Sequence, residues 1–180
     1  MSSQHQIELY CRRYPWFAGV FSSEELENLQ IPQLGRDAAI IVNTLTRAQA
    51  SDGMTGHWIA ILHLNSTLKP PTFVDSFAFD AASLPEFLKY MGDPGVFDRF
   101  LQRASRESGH DGVYMNNSER FQCVKSDYCG LYACWAVRVN CEPMTTLGNI
   151  RPQWKRIFSS RGVCVQSDAA IQRLVHLSDV

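Results

Sequence analysis

Nowhere in these 180 residues is there an unbroken apolar stretch near the roughly 20 residues that a membrane-crossing helix needs. No membrane partner is therefore expected. Cys-x-x-Cys pairs and Cys/His clusters at zinc spacing are also missing, so no structural metal and no cofactor is expected. Charge of neither sign dominates. The 17 basic and 18 acidic side chains leave a net charge of −1, which offers no general attraction for nucleic acid. The densest basic group, Arg151, Lys155, Arg156 and Arg161 with Arg173 further on, reads as a solvated helical face before it reads as a DNA surface. The opening residues, from Met1 to Gln6, lack the basic-then-apolar form of a signal peptide. A non-secreted protein in a reducing compartment is the expectation, with most of the cysteines at 11, 123, 129, 134, 141 and 164 free. Repeats, low-complexity tracts and long linkers are absent too.

What remains is ordinary globular material. At 45% hydrophobic and 19% charged, the chain has enough apolar substance for a core, and its length suits one domain over residues 1–180. A monomer is expected from that size. Residues 22–29 open with a serine followed by early acids, which predicts a helix start at Ser22. The β-branched run 37–45 predicts a buried strand. Residues 47–56 predict a loop, 57–64 a strand, and 72–79 a second strand joined to it as a hairpin. Helices are predicted over 83–91 and over Val96 to Arg106. Residues 109–122 predict a short strand plus loop, with a turn at Asn116 and Asn117. From Cys129 to Asn140 the chain is apolar apart from Arg138, which predicts a buried central helix. Two amphipathic helices, near 150–159 and 168–177, would complete an α+β domain: a central mixed sheet packed by helices.

The chemistry concentrates around Cys129. A cysteine attacks as its thiolate, and a reference pKa of about 8.5 leaves little of that form at neutral pH. A helix N-terminus and a neighbouring imidazolium both favour the anion, and Cys129 opens a helix. Gly130 would allow close backbone approach there. Taken alone, Cys129 reads as a buried core cysteine. His57 begins a strand and is the candidate base; alone it reads as a strand-end histidine bonded to backbone. His63, flanked by leucines, reads as structural, though period-two alternation would put it on the same face. Asp75 lies in an apolar strand, where a carboxylate is costly unless paired. Orienting His57 would explain it, and capping the next loop would too. Asp80 is the fallback. The side-chain amide of Gln122 and the Cys129 N–H could converge on a developing oxyanion, each donor worth about 3–4 kcal/mol. Each assignment is weak by itself, but the four in this order define a kit for thiol catalysis.

The motifs Gly56-His57-Trp58, residues 73–77, Gln122 and residues 127–132 resemble those of the adenovirus protease family, the adenains, and their relatives in other DNA viruses and virus-like transposons. The same clan holds the SUMO- and NEDD8-specific proteases. Residues 12–17 and 39–44 are similar to the N-terminal part of adenain, so the likeness spans roughly 9 to 140. It implies an adenain-like cysteine-peptidase fold, with His57 as base, Asp75 as its orienter, Gln122 as oxyanion donor and Cys129 as nucleophile at the N-terminus of the central helix. It implies that Trp58 lines a narrow cleft for glycine-containing substrates; Trp58 also reads as core. Tyr128 and Gly130 would border the same subsites.

There are departures. Adenain carries Glu at the position of Asp75, whereas the cellular relatives carry Asp. The step of seven residues from Gln122 to Cys129 fits adenain better than the modifier proteases. Asp127 stands one place earlier than in the common Asp-Cys pair. Adenain is stimulated by DNA and by a viral peptide held through a cysteine upstream of the glutamine. Residues 109–121 contain no cysteine, so a peptide activator here would act non-covalently, and DNA has little support. The resulting expectation is a cysteine endopeptidase that cleaves precursor polypeptides, viral or virus-like, at small or glycine-containing sites. It would work inside the host nucleus or cytoplasm, or packaged in a virion. Alternatives are a deconjugating protease for a ubiquitin-like modifier and, behind it, an effector-type acetyltransferase.

Overall fold

β-Branched and small apolar residues build the middle of the molecule. The computed structural model describes residues 3–52, 56–82, 93, 95–117, 120, 122, 127–140, 171–172 and 175. Its strands are β1 (Phe17–Ser22), β2 (Ala38–Asn43), β3 (Trp58–Leu64), β4 (Thr72–Val74) and β5 (Met115–Asn116). They form one mixed sheet in chain order. The outer pairs, β1/β2 and β4/β5, are parallel, and β2/β3 and β3/β4 are antiparallel. The helices are α1 (Gln4–Cys11), α2 (Arg47–Ser51), α3 (Val96–Glu107) and α4 (Cys129–Asn140). The protein is thus α+β with helices against a central mixed sheet, as expected. The helices expected at 83–91 and 150–159, and most of that at 168–177, lie outside the described residues.

The central strands are buried on both faces, which is why they read as continuous apolar runs and not as alternating ones. In β3, Trp58, Ala60 and Leu62 face the core shared with α1 and α4, while Ile59, Ile61 and Leu64 face the core shared with α3. β2 divides in the same way, with Ala39 and Ile41 on the first side and Ala38, Ile40 and Val42 on the second. The alternation slips at His63. This residue has φ of +59°, and the register between β2 and β3 shifts beside it. A bulge of this kind moves the next side chain, Leu64, onto the face that His63 would have taken. His63 Nδ1 instead meets Asp37 Oδ1 at 3.0 Å. The structural reading of His63 holds, but not the shared face.

α4 is apolar nearly all round because it is enclosed, with β2 and β3 on one side and α1 on the other. α1 offers it Ile7, Tyr10 and Cys11, the i, i+3, i+4 face of a helix. The indole Nε1 of Trp16 donates to the carbonyl of Val137 at 2.9 Å and pins the far end of α4. On the opposite sheet face, α3 buries Val96, Phe97, Phe100, Leu101 and Ala104.

Some elements differ from the sequence expectation. α1 and β1 were not anticipated, and residues 47–51 form a helical turn where a loop was expected, capped by Thr46. The start at Ser22 is real, but the turn it opens (Ser23–Glu27) is 3-10. There the Glu25 carboxylate accepts from both the N–H and the hydroxyl of Ser22, at 2.7 and 2.8 Å. β4 stops at Val74, because Asp75 turns the chain. Asn116, expected in a turn, ends β5.

Candidate active site

His57 sits one residue before β3, where the strand emerges from the sheet. Its N–H donates to the hydroxyl of Thr44 at 2.9 Å, and its carbonyl accepts from the Thr44 N–H at 2.9 Å. Those two bonds fix the backbone and leave the ring free to be set by its own partners. Gly56 is needed beside it, since a Cβ there would come within 2.8 Å of Leu45 Cγ and would collide with the Asn43 side chain.

Nε2 of His57 lies 3.0 Å from Oδ2 of Asp75. The Cys129 thiol is close enough to the ring to act on its titration. Phe77 covers one ring face, with centroids 5.1 Å apart and planes tilted by 30°. Burial of His57 works to lower its pKa. The Asp75 charge and hydrogen bond, with the bond and charge of Cys129, outweigh burial and raise the pKa from 6.5 to about 10.

Asp75 is fully buried. Its Oδ1 accepts from the Phe77 N–H at 2.7 Å, and its carbonyl accepts from the Ala78 N–H at 3.0 Å, closing a tight turn. Asn117 grips its backbone from both sides. The Asp75 N–H donates to Asn117 Oδ1 at 2.7 Å, and Asn117 Nδ2 donates to the Asp75 carbonyl at 2.6 Å. A side-chain amide thereby replaces a neighbouring strand where β4 and β5 end. Asp80, the fallback acid, is exposed and bonds the N–H of Ala82.

Gln122 is 1% exposed and is anchored twice on Ser76. Its N–H donates to the Ser76 carbonyl at 3.0 Å, and its Oε1 accepts from the Ser76 hydroxyl at 2.5 Å. Cys129 is the first residue of α4 and is 7% exposed. The Tyr128 carbonyl accepts from the Leu131 and Tyr132 N–H groups at 2.9 and 3.1 Å, so Tyr128 caps the helix. The N–H groups of Cys129 and Gly130 belong to the first turn, which has no intrahelical acceptors, and the positive end of the helix dipole lies there. Gly130 is buried, and Tyr128 is half-buried against the core. Trp58 is 6% exposed and packs in the α4-side core.

Hydrogen bonds thus join His57 to Asp75 and Gln122 to the residue after Asp75, and the Cys129 thiol lies beside the His57 ring. Thr44, Ser76, Phe77 and Asn117 support them and were missed from sequence. Nothing in a single serine or asparagine marks such a role, although Asn117 beside a strand end offers a weak signal. Among the described residues, no group of three or more His, Cys, Asp or Glu side chains could hold a metal ion. Cys11, Cys129 and Cys134 are free.

The class defined by this architecture is an α+β domain with a buried Cys–His–Asp chain at a helix N-terminus. No protein-family model matches the sequence, and no curated protein does. Among solved structures, the chain is similar to that of ChlaDub1 from Chlamydia trachomatis, at 14% identity and a TM-score of 0.43, over 98% of this chain and 95% of that one.

Proposed function

We propose that the protein is a cysteine peptidase acting on protein substrates. The observation that carries this reading is the buried His57–Asp75 pair, with the Cys129 thiol beside the ring at the N-terminus of α4. Asp75 holds Nε2, and the raised pKa of His57 keeps the ring an imidazolium at neutral pH. Thiolate Sγ adds to the substrate carbonyl, and the carbonyl electron pair moves onto oxygen. The Cys129 N–H and the Gln122 amide are the donors for that oxyanion. Its collapse breaks the C–N bond as His57 gives its proton to the departing amine, leaving a thioester. Water then adds with His57 taking its proton, and the second collapse releases the acid and restores the thiolate.

For the substrate, we infer a polypeptide linkage that ends in glycine, with deconjugation of a ubiquitin-like modifier first. Asp75 favours it, since the modifier proteases resembled here carry Asp where adenain carries Glu. The absence of cysteine from 109 to 121 favours it too, because an adenain-type activator has nothing to bond covalently. Precursor cleavage is the second reading, favoured by the spacing from Gln122 to Cys129. Trp58, Tyr128 and Gly130 would border the acyl site in either case.

Intact-mass analysis with electrophilic probes tests both levels. Wild type should gain an adduct at Cys129. Cys129→Ala should keep its melting temperature and lose all hydrolysis, and normal turnover by that variant would end the assignment. Adducts from a folded modifier alone would support deconjugation, and adducts from short glycine peptides would support precursor cleavage.

A further inference from the structure

We infer that Ser76 is a positioning residue for the oxyanion site, fixing which end of the Gln122 amide faces the reacting carbonyl. This deepens the proposed peptidase reading and rests on it. A glutamine amide has an acceptor end and a donor end of nearly the same shape, and only a polar neighbour decides between them. Presented one way, Nε2 stabilises an oxyanion; presented the other way, Oε1 repels it. At 1% exposure the choice cannot be left to solvent.

Ser76 makes that choice with two bonds. Its carbonyl accepts the Gln122 N–H at 3.0 Å and sets the position of the residue. Its hydroxyl donates to Oε1 at 2.5 Å and commits the acceptor end of the amide toward β4. Nε2 is then the end turned away from Ser76. The hydroxyl is itself buried, 3% exposed, so water does not compete for this bond. Ser76 also follows Asp75 directly, and Asp75 holds the His57 ring at 3.0 Å. Two successive residues thus orient the two halves of the catalysis. Asp75 serves the base, and Ser76 serves the oxyanion donor. Since the carbonyl of Ser76 survives any side-chain change, substitution should alter the orientation of the amide more than the path of the chain.

The test separates the oxyanion site from the thiolate–imidazolium pair. Alkylation of Cys129 by iodoacetamide develops no oxyanion and reads only the pair. A substrate-like peptide aldehyde adds to the thiol and does develop one. Ser76→Ala should leave the alkylation rate and its pH profile at wild-type values. It should weaken aldehyde inhibition and lower kcat by about 10-fold with KM unchanged, less than the roughly 100- to 1000-fold loss typical of removing an oxyanion donor. Ser76→Thr, which keeps the hydroxyl, should recover most of kcat. The double variant Ser76→Ala/Gln122→Ala should be no slower than Gln122→Ala alone. Full kcat in Ser76→Ala would overturn the inference, as would equal losses in alkylation and turnover. Failure of the wild type to hydrolyse any probe or to be alkylated at Cys129 would instead overturn the peptidase reading beneath it.

Discussion

At the scale of single residues, His57 sets the pH behaviour. In the proposed mechanism it must be charged to protonate the leaving amine, and Asp75 and Cys129 together raise its pKa to about 10. Turnover should therefore persist through neutral pH and fall on an alkaline limb near 10, as His57 loses its proton. A kcat/KM profile checks this, and a limb near 6.5 would mean that the ring is not paired as described. The buried cysteines have different characters. Burial and the hydrogen bond with Cys11 push the Cys134 thiol up, and both Cys11 and Cys134 have no exposed surface. Cys129 alone of these three faces a histidine at a helix mouth, the setting in which a thiol becomes reactive.

Among the elements, the hairpin of β3 and β4 is what brings His57 and Asp75 together. Ala60 pairs with Val74, Ile61 with Phe73 and Leu62 with Thr72. Continued by the same register, Trp58 would stand opposite Ser76, and His57 opposite Phe77, whose ring indeed lies against it. The pairing stops at Val74 because Asp75 turns away, and Asn117 supplies the bonds that a continued ladder would have made. Asn117→Ala would leave a buried N–H and weaken the hold on a buried C=O. It should cost about 2 kcal/mol of stability. Its kcat should fall with it, since Asp75 would no longer be held against His57. Urea denaturation and steady-state kinetics together check this, and loss of stability with full kcat would place Asn117 in the fold alone.

For the whole molecule, the ion pair ties stability to pH. The unfolded chain's histidine titrates near 6.5 and the folded one near 10. The contribution is complete below about pH 6.5, declines as the unfolded chain gives up its proton, and is gone above about 10. Melting temperature should therefore fall over that window in wild type, and the fall should be smaller in His57→Asn. The arrangement of layers explains why this pair keeps its place. α4 is clasped between the sheet and α1 and tied at its far end to Trp16, so the N-terminus that carries Cys129 has little freedom to drift from β3.

Elements whose chemistry is local can be read residue by residue. The apolar run 38–43, the helix from Cys129 to Asn140, α3 and the hairpin of β3 and β4 all follow from composition and period, and each was legible. His57, Asp75 and Cys129 were legible as residue types in a telling order, because a buried carboxylate and a helix-opening cysteine each ask for a partner. The groups that hold those residues in place come from long-range folding and had no such mark. Ser76 and Asn117 are unremarkable in sequence, 46 and 42 residues from their partners Gln122 and Asp75, and they acquire roles because chain closure carries them to the end of β4. The same holds for β1, which becomes a strand by lying parallel to β2, and for His63, which leaves its expected face where the register slips. Local preference is written residue by residue, whereas a hydrogen bond between distant segments exists only once the sheet has brought them within 3 Å.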